Sequence, residues 1–213
     1  MAEPLILLLL LNILLSYKGF RDPVFFERYK FSVLKIRKNE TFRLFSSGFL
    51  HVDTTHLIFN MFTLYIFGDV AIQLMGAVSF YIVYGLSLFS GNYFTYLNHK
   101  NEPNYTAVGA SGAVSGIVYS SILLFPKMKL AFLFLPIPIP GYIFGILYLL
   151  YTLFGMKSRH DNIGHTAHFG GAVSGFATTL FIYPSLLYTE TNLILLMLIP
   201  IIGYVVMKQK GKL

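Results

Sequence analysis

Three short stretches of this chain combine residue types that can do chemistry with spacings that could bring them to one point. HVDTTHLIFNMF (51–62) carries His51, His56 and Asn60; GASGAVSG (109–116) holds Ser111 between two glycines; DNIGHTAHFGGAVSG (161–175) carries Asp161, His165 and His168. A serine hydroxyl becomes a useful nucleophile when a neutral imidazole within hydrogen-bond reach takes its proton. His56 and Asn60 are four residues apart, so on a helix they share one face and can donate hydrogen bonds to a single point, the geometry an oxyanion requires. If a helix opens near Val108, Ser111 falls in its first turn, where unpaired backbone N–H groups and the positive dipole end favour an anion; Gly109 adds backbone freedom just before it. Each stretch also has a blander reading. Buried polar pairs often hydrogen-bond neighbouring helices, and Gly112–Gly116 and Gly171–Gly175 are small-xxx-small spacings that serve close helix packing of any kind. Those two stripes predict that the Ser111 helix and the His168 helix pack on each other.

The elements that must hold these groups are membrane spans. Of 213 residues, 55% are hydrophobic and 12% charged, with a mean hydropathy of +0.66, against about 25% charged in a soluble domain. Apolar segments at 4–17, 54–75, 77–97, 107–126, 130–155, 162–187 and 192–207 predict an all-α, polytopic transmembrane helical bundle, with six core spans and a possible seventh at the C-terminus. The seventh is short and contains Pro200, so an interfacial placement, or an end inside the bundle, is the alternative. Met1 to Tyr17 lacks a basic leader and a small-residue cleavage site, so it reads as a retained first span rather than a signal peptide. Residues 17–49, basic and aromatic, suit the headgroup layer. With no repeat, linker or low-complexity tract, residues 1–213 are expected to form a single transmembrane domain.

The net charge of +7 comes from basic residues scattered between apolar runs. Anionic lipid headgroups are therefore the expected partner, and nucleic acid is not. The chain has no cysteine, so neither a disulfide framework nor a Cys-ligated metal site is possible. Histidines could ligate a metal, as in a transporter, but HExxH is absent and no carboxylate stands at ligand spacing, so no metal and no cofactor are expected.

Taken together, the three stretches resemble the rhomboid intramembrane serine proteases. The resemblance runs from FRLFSSGFLHVDTTHLIFNMFTLYIFG (42–68) through NYTAVGASGAVSG (104–116) to AHFGGAVSG (167–175), in the family's order and approximate spacing. It implies Ser111 as nucleophile, His168 as general base, and an oxyanion and substrate-binding set of His56, Asn60 and Gly109 with the Ser111 amide. His51 matches a recurrent histidine of the HxxxxHxxxN pattern and is expected to support the site rather than react; His165 receives no role. The implied function is intramembrane endoproteolysis of transmembrane protein substrates by a Ser/His dyad, in a multi-pass protein of the lipid bilayer, the plasma (inner) membrane if the source is bacterial. A non-catalytic relative that binds and escorts membrane proteins is the alternative, although such members lose the Ser or the His. Asp161 lies seven residues before His168, about 10 Å along a helix axis, too far to orient the imidazole; Asp53 and Asp69 read as solvated carboxylates near span ends.

Three positions depart from the family pattern. Phe42-Arg43 stands where Trp-Arg is usual, Ile72 where a glutamate often anchors the interfacial segment to the bundle, and Ser115 where an aromatic residue commonly stacks on the catalytic histidine. The resemblance also implies an extracytoplasmic active site, but with seven spans the side holding 18–46 would collect every Lys and Arg except Lys127 and Lys129, against the positive-inside rule.

Overall fold

The computed structural model describes residues 3–132, 135–158, 163–211 and 213. It is predominantly helical. The first helix, α1 (Glu3–Arg21), is followed by short pieces: α2 (Pro23–Tyr29), β1 (Phe31–Ser32), α3 (Val33–Ile36), α4 (Arg43–Ser46) and a 3₁₀ turn at Ser47–Phe49. Then come α5 (Thr54–His99), β2 (Thr106–Ala107), α6 (Ser111–Leu124), β3 (Lys129–Phe132), β4 (Leu135–Pro140), α7 (Gly141–Ser158), α8 (His165–Ile182), α9 (Leu186–Thr189) and α10 (Thr191–Gln209). Three of these, α1, α5 and α10, are long and apolar enough to cross a membrane.

The two apolar segments expected at 54–75 and 77–97 form one 46-residue element broken at Gly76, whose φ of 76° and ψ of 164° suit only glycine. Contacts on either side show the chain doubling back there. The Gly68 backbone lies near the Phe80 ring, and the second half runs up to place Asn98 beside Tyr204 of α10. The last apolar segment is one continuous helix through Pro200, with a length that suffices to cross a bilayer.

The expectation of helix alone fails in two places. The apolar segment expected at 130–155 opens with an antiparallel hairpin, Lys129 opposite Pro140 and Leu130 opposite Ile139, and its helix starts only at Gly141. Pro136, Pro138 and Pro140 alternate in LPIPIP, and a proline at every second position denies a helix both its hydrogen bonds and its sterics. The second place is a two-residue ladder pairing Phe31 with Ala107 and Ser32 with Thr106, which fastens the interfacial segment to the strand leading into GASG.

At the centre of the molecule is α6, buried at every position from Gly112 to Leu123, between α5 and α8. A Cβ on Gly171 would overlap the Gly112 carbonyl oxygen, and one on Gly175 the Gly116 carbonyl. The two glycine stripes face each other, as their spacing predicts, and bring backbones into contact in the way membrane helices use to gain dispersion energy. Polar side chains add to the seam: Thr179 Oγ1 donates to Ser120 Oγ at 2.7 Å, and Ser120 Oγ lies 2.9 Å from the Gly116 carbonyl.

Arg43 organises the interfacial segment. Its guanidinium, 4% exposed, donates twice to Glu40 Oε2, at 2.7 and 2.8 Å, and to the carbonyls of Glu27 and Lys30. The hydrogen bonds from Arg43 hold the Glu40 carboxyl below its usual range. The anchor missing at Ile72 is replaced from the other half of α5. There Asn92 Nδ2 donates to the Leu44 carbonyl at 2.8 Å and to Ser47 Oγ at 3.2 Å.

Candidate active site

Ser111 is the first residue of α6, following Ala110 as N-cap. Gly109 has a φ of 134°, a left-handed conformation closed to other residues, and its amide donates to the Ser47 carbonyl at 3.0 Å. The GASG turn is thus held against the interfacial segment, with the serine at a helix N-terminus. His168 stands in the first turn of α8, a helix pressed against α6 by the glycine seam. As a result His168 Nε2 lies 2.6 Å from Ser111 Oγ, a hydrogen bond of the length a nucleophile and its base require.

His56 and Asn60 come from the first turns of α5, whose N-cap is Asp53: its carboxylate accepts the His56 amide at 2.7 Å. This corrects the expectation that Asp53 is merely solvated, because a carboxylate preceding a helix satisfies an orphan N–H and favours the dipole. Asp69 is also engaged, its Oδ2 accepting from Gln73 Nε2 at 2.8 Å. The His56 imidazole lies across Gly109, with Nε2 3.0 Å from where a Cβ on that glycine would stand. Asn60 is 6% exposed and gives one amide hydrogen to the His56 carbonyl at 2.9 Å. His56, Asn60, Gly109, Ser111 and His168 all line one open cavity of about 1060 Å³.

His51, fully buried, sits behind this cavity rather than in it. Its Nδ1 is 2.8 Å from Ser16 Oγ of α1, while Ser16 donates to the Phe49 carbonyl at 3.0 Å. The Ala110 amide points at His51 Nε2 over 3.5 Å. A ring nitrogen that accepts an amide hydrogen carries none of its own, so the hydrogen resides on Nδ1 and is donated to Ser16. Burial pushes the His51 pKa down to about 3, the adjacent His56 adds to the effect, and Asp53 opposes it. His51 therefore stays neutral and braces the residue before Ser111, with its ring edge-on to His56 at 5.0 Å.

His165 packs beside His168, the two rings edge-on with centroids 6.4 Å apart. It is 4% exposed, fills the space left by the missing side chain of Gly155 and meets Tyr151 edge-on at 5.1 Å. Asp161, expected to be too distant to orient His168, falls outside the described residues. Among the described residues no group of three His, Asp or Glu side chains is placed to hold a metal.

Sequence reasoning missed two groups at this site. Ser16 was one polar residue within an apolar span, and polarity at membrane depth was the available signal. Tyr148 of α7 was the other: its hydroxyl is 3.0 Å from His168 Nδ1. Its signal was indirect, since a small Ser115 left the histidine in want of an aromatic neighbour.

Residues 38–185 match the model of the Rhomboid domain. The chain is 26% identical over 176 residues to RHOMBOID-like protein 12, mitochondrial, of Arabidopsis thaliana, covering 76% of this chain and 52% of that protein. It is 27% identical over 135 residues to Rhomboid protein 1, mitochondrial, of Saccharomyces cerevisiae, covering 62% and 39%. With Rhomboid protease AarA of Providencia stuartii it shares 30% identity over 148 residues, covering 61% and 51%. The chain thus spans about half the length, or less, of these relatives. The family model covers most of the chain, including every residue of the cavity described above, and the chain belongs to the rhomboid family of integral membrane proteins.

Proposed function

We propose that the protein, acting as one transmembrane unit, is an intramembrane serine endopeptidase that cleaves transmembrane segments of other membrane proteins. The observation that carries this reading is the 2.6 Å hydrogen bond between Ser111 Oγ and His168 Nε2 at the floor of a cavity that also holds two side-chain donors. Ser111 Oγ attacks the carbonyl carbon of the scissile bond while His168 Nε2 takes its proton. The carbonyl oxygen becomes an oxyanion, met by the Ser111 amide, the Asn60 amide hydrogen not given to His56, and the His56 ring. On collapse the leaving amine takes the proton from His168, and water hydrolyses the acyl-enzyme by the same route.

The substrate backbone must leave helical geometry to offer its carbonyl, because a membrane helix keeps its backbone groups paired. Segments rich in small or helix-breaking residues are the expected substrates. The name of the Providencia relative, a rhomboid protease, agrees with this reading. The test is covalent labelling of the detergent-solubilised protein by a serine-directed fluorophosphonate, followed by incubation with a panel of transmembrane peptides. Labelling and cleavage by the wild type, with neither in Ser111→Ala, is the expected result; an unlabelled wild type would leave a binding or escorting role instead.

A further inference from the structure

The imidazole of His168 has two nitrogens with opposite duties. For Nε2 to accept the Ser111 hydroxyl proton it must carry a lone pair, which places the ring hydrogen on Nδ1. Nδ1 meets the Tyr148 hydroxyl at 3.0 Å. The two rings are inclined by only 21° with centroids 6.1 Å apart, an offset arrangement that brings the phenol oxygen to the ring nitrogen. That oxygen is itself placed. Tyr148 stacks on Phe144 one turn earlier, at 5.8 Å and 12°, and its hydroxyl lies 3.3 Å from Ser115 Oγ, one turn after Ser111 on α6. Ser115 is 5% exposed, small enough to admit the phenol and polar enough to accept its hydrogen. Nucleophile, base and phenol thus form one chain of hydrogen bonds from Ser111 through His168 to Tyr148 and Ser115, spanning α6, α8 and α7.

We propose that Tyr148 is the positioning residue of this site: its hydroxyl accepts the His168 Nδ1 hydrogen and holds the imidazole in the tautomer and orientation that present Nε2 to Ser111. The assignment rests on the reading of Ser111 and His168 as nucleophile and base. Tyr148 exchanges no proton in the reaction; it occupies the place a carboxylate takes in a triad. Being neutral, it orients the ring without the charge that would stabilise an imidazolium, so its loss costs less than the loss of a triad carboxylate.

Tyr148→Phe keeps the ring and its stacking and removes the oxygen. In the full chain in detergent, this variant is expected to lower kcat on a transmembrane peptide about tenfold, the size of one neutral hydrogen bond, with KM and the thermal midpoint unchanged. Fluorophosphonate labelling of Ser111 should slow by the same factor, and Ser115→Ala should show a smaller fall in the same direction. Nitrogen-15 NMR of the histidine side chains should find His168 protonated at Nδ1 in the wild type, with the population moving to Nε2–H in Tyr148→Phe. A wild-type labelling rate and an unchanged tautomer in Tyr148→Phe would overturn the proposal. So would a loss of activity that merely follows a loss of thermal stability, which would make Tyr148 a packing residue. If the wild type itself resists the fluorophosphonate, the protease reading fails, while the tautomer comparison still decides the role of Tyr148.

Discussion

Ser111→Ala and His168→Ala are each expected to abolish cleavage while leaving expression and thermal stability nearly intact. The double variant should be no worse than either single one, because residues that act as one unit lose their effect together. Asn60→Ala should lower kcat about a hundredfold, roughly 3 kcal/mol, with little change in KM, since its donor matters once charge develops on the carbonyl oxygen. His56→Ala should behave similarly but fold less well, as its ring packs over Gly109 and leaves a cavity behind. His51 carries a pH signature. Unfolded, its imidazole binds a proton below about 6.5; folded, not until about 3. Its contribution to stability is therefore whole above pH 6.5 and is lost as the pH falls through that window towards 3. Thermal midpoints of His51→Asn, whose side-chain amide can still donate to Ser16, should fall less steeply than wild type between those limits.

At the scale of elements, the seam between α6 and α8 sets the distance between Ser111 and His168. Gly171→Ala would drive a methyl group into the Gly112 carbonyl oxygen, and overpacking of this kind costs about 1–3 kcal/mol. Parting the helices also lengthens the 2.6 Å contact of Ser111 with His168, so the fluorophosphonate rate should fall further than thermal stability explains. Gly76→Ala offers the contrast. Nothing lies within 4 Å of the added methyl, so the cost is backbone strain at a φ of 76°, about 1–3 kcal/mol. Its site is remote from Ser111, so the labelling rate per folded molecule should match wild type. The Ile72 departure shows an element-level replacement: the link a glutamate would supply comes from Asn92, which holds Leu44 and Ser47, and from the β1–β2 ladder.

At the scale of the whole molecule, charge is distributed unevenly between the two ends. Tyr204 of α10 meets Asn98 at 3.2 Å and Lys208 lies 2.9 Å from the Tyr204 hydroxyl, so Lys208 and Lys210 return to the end that holds Ser111. The interfacial segment with its eight Lys and Arg from Lys18 to Arg43 is at that end as well, while Lys127 and Lys129 lie at the other. Charge alone places the Ser111 end on the cytoplasmic side, the reverse of what the family resemblance implies. Alkaline phosphatase fused at Lys100 and at Lys127 reads this directly. On the charge rule the Lys100 fusion is inactive and the Lys127 fusion active; the opposite pattern would show that helix order within the bundle overrides loop charge.

Periodicity and local chemistry were enough for much of this molecule. Ser111, His168, His56 and Asn60 stood out as polar residues at membrane depth, and the roles proposed for them come from the family resemblance rather than from their spacing. The pairing of α6 with α8 was legible because two glycine stripes have no other use than close approach. The hairpin at 129–140 could have been read from its alternating prolines, but hydrophobicity alone does not separate a strand from a buried helix. Other features were decided only in three dimensions. Ser16, Asn92 and Tyr148 act across 35, 45 and 20 positions of sequence respectively, and a residue so distant leaves no periodic trace near its partner. Which aromatic serves His168, and through its hydroxyl rather than its ring face, depends on how far α7 stands from α8, a distance set by side-chain packing along the whole length of both helices.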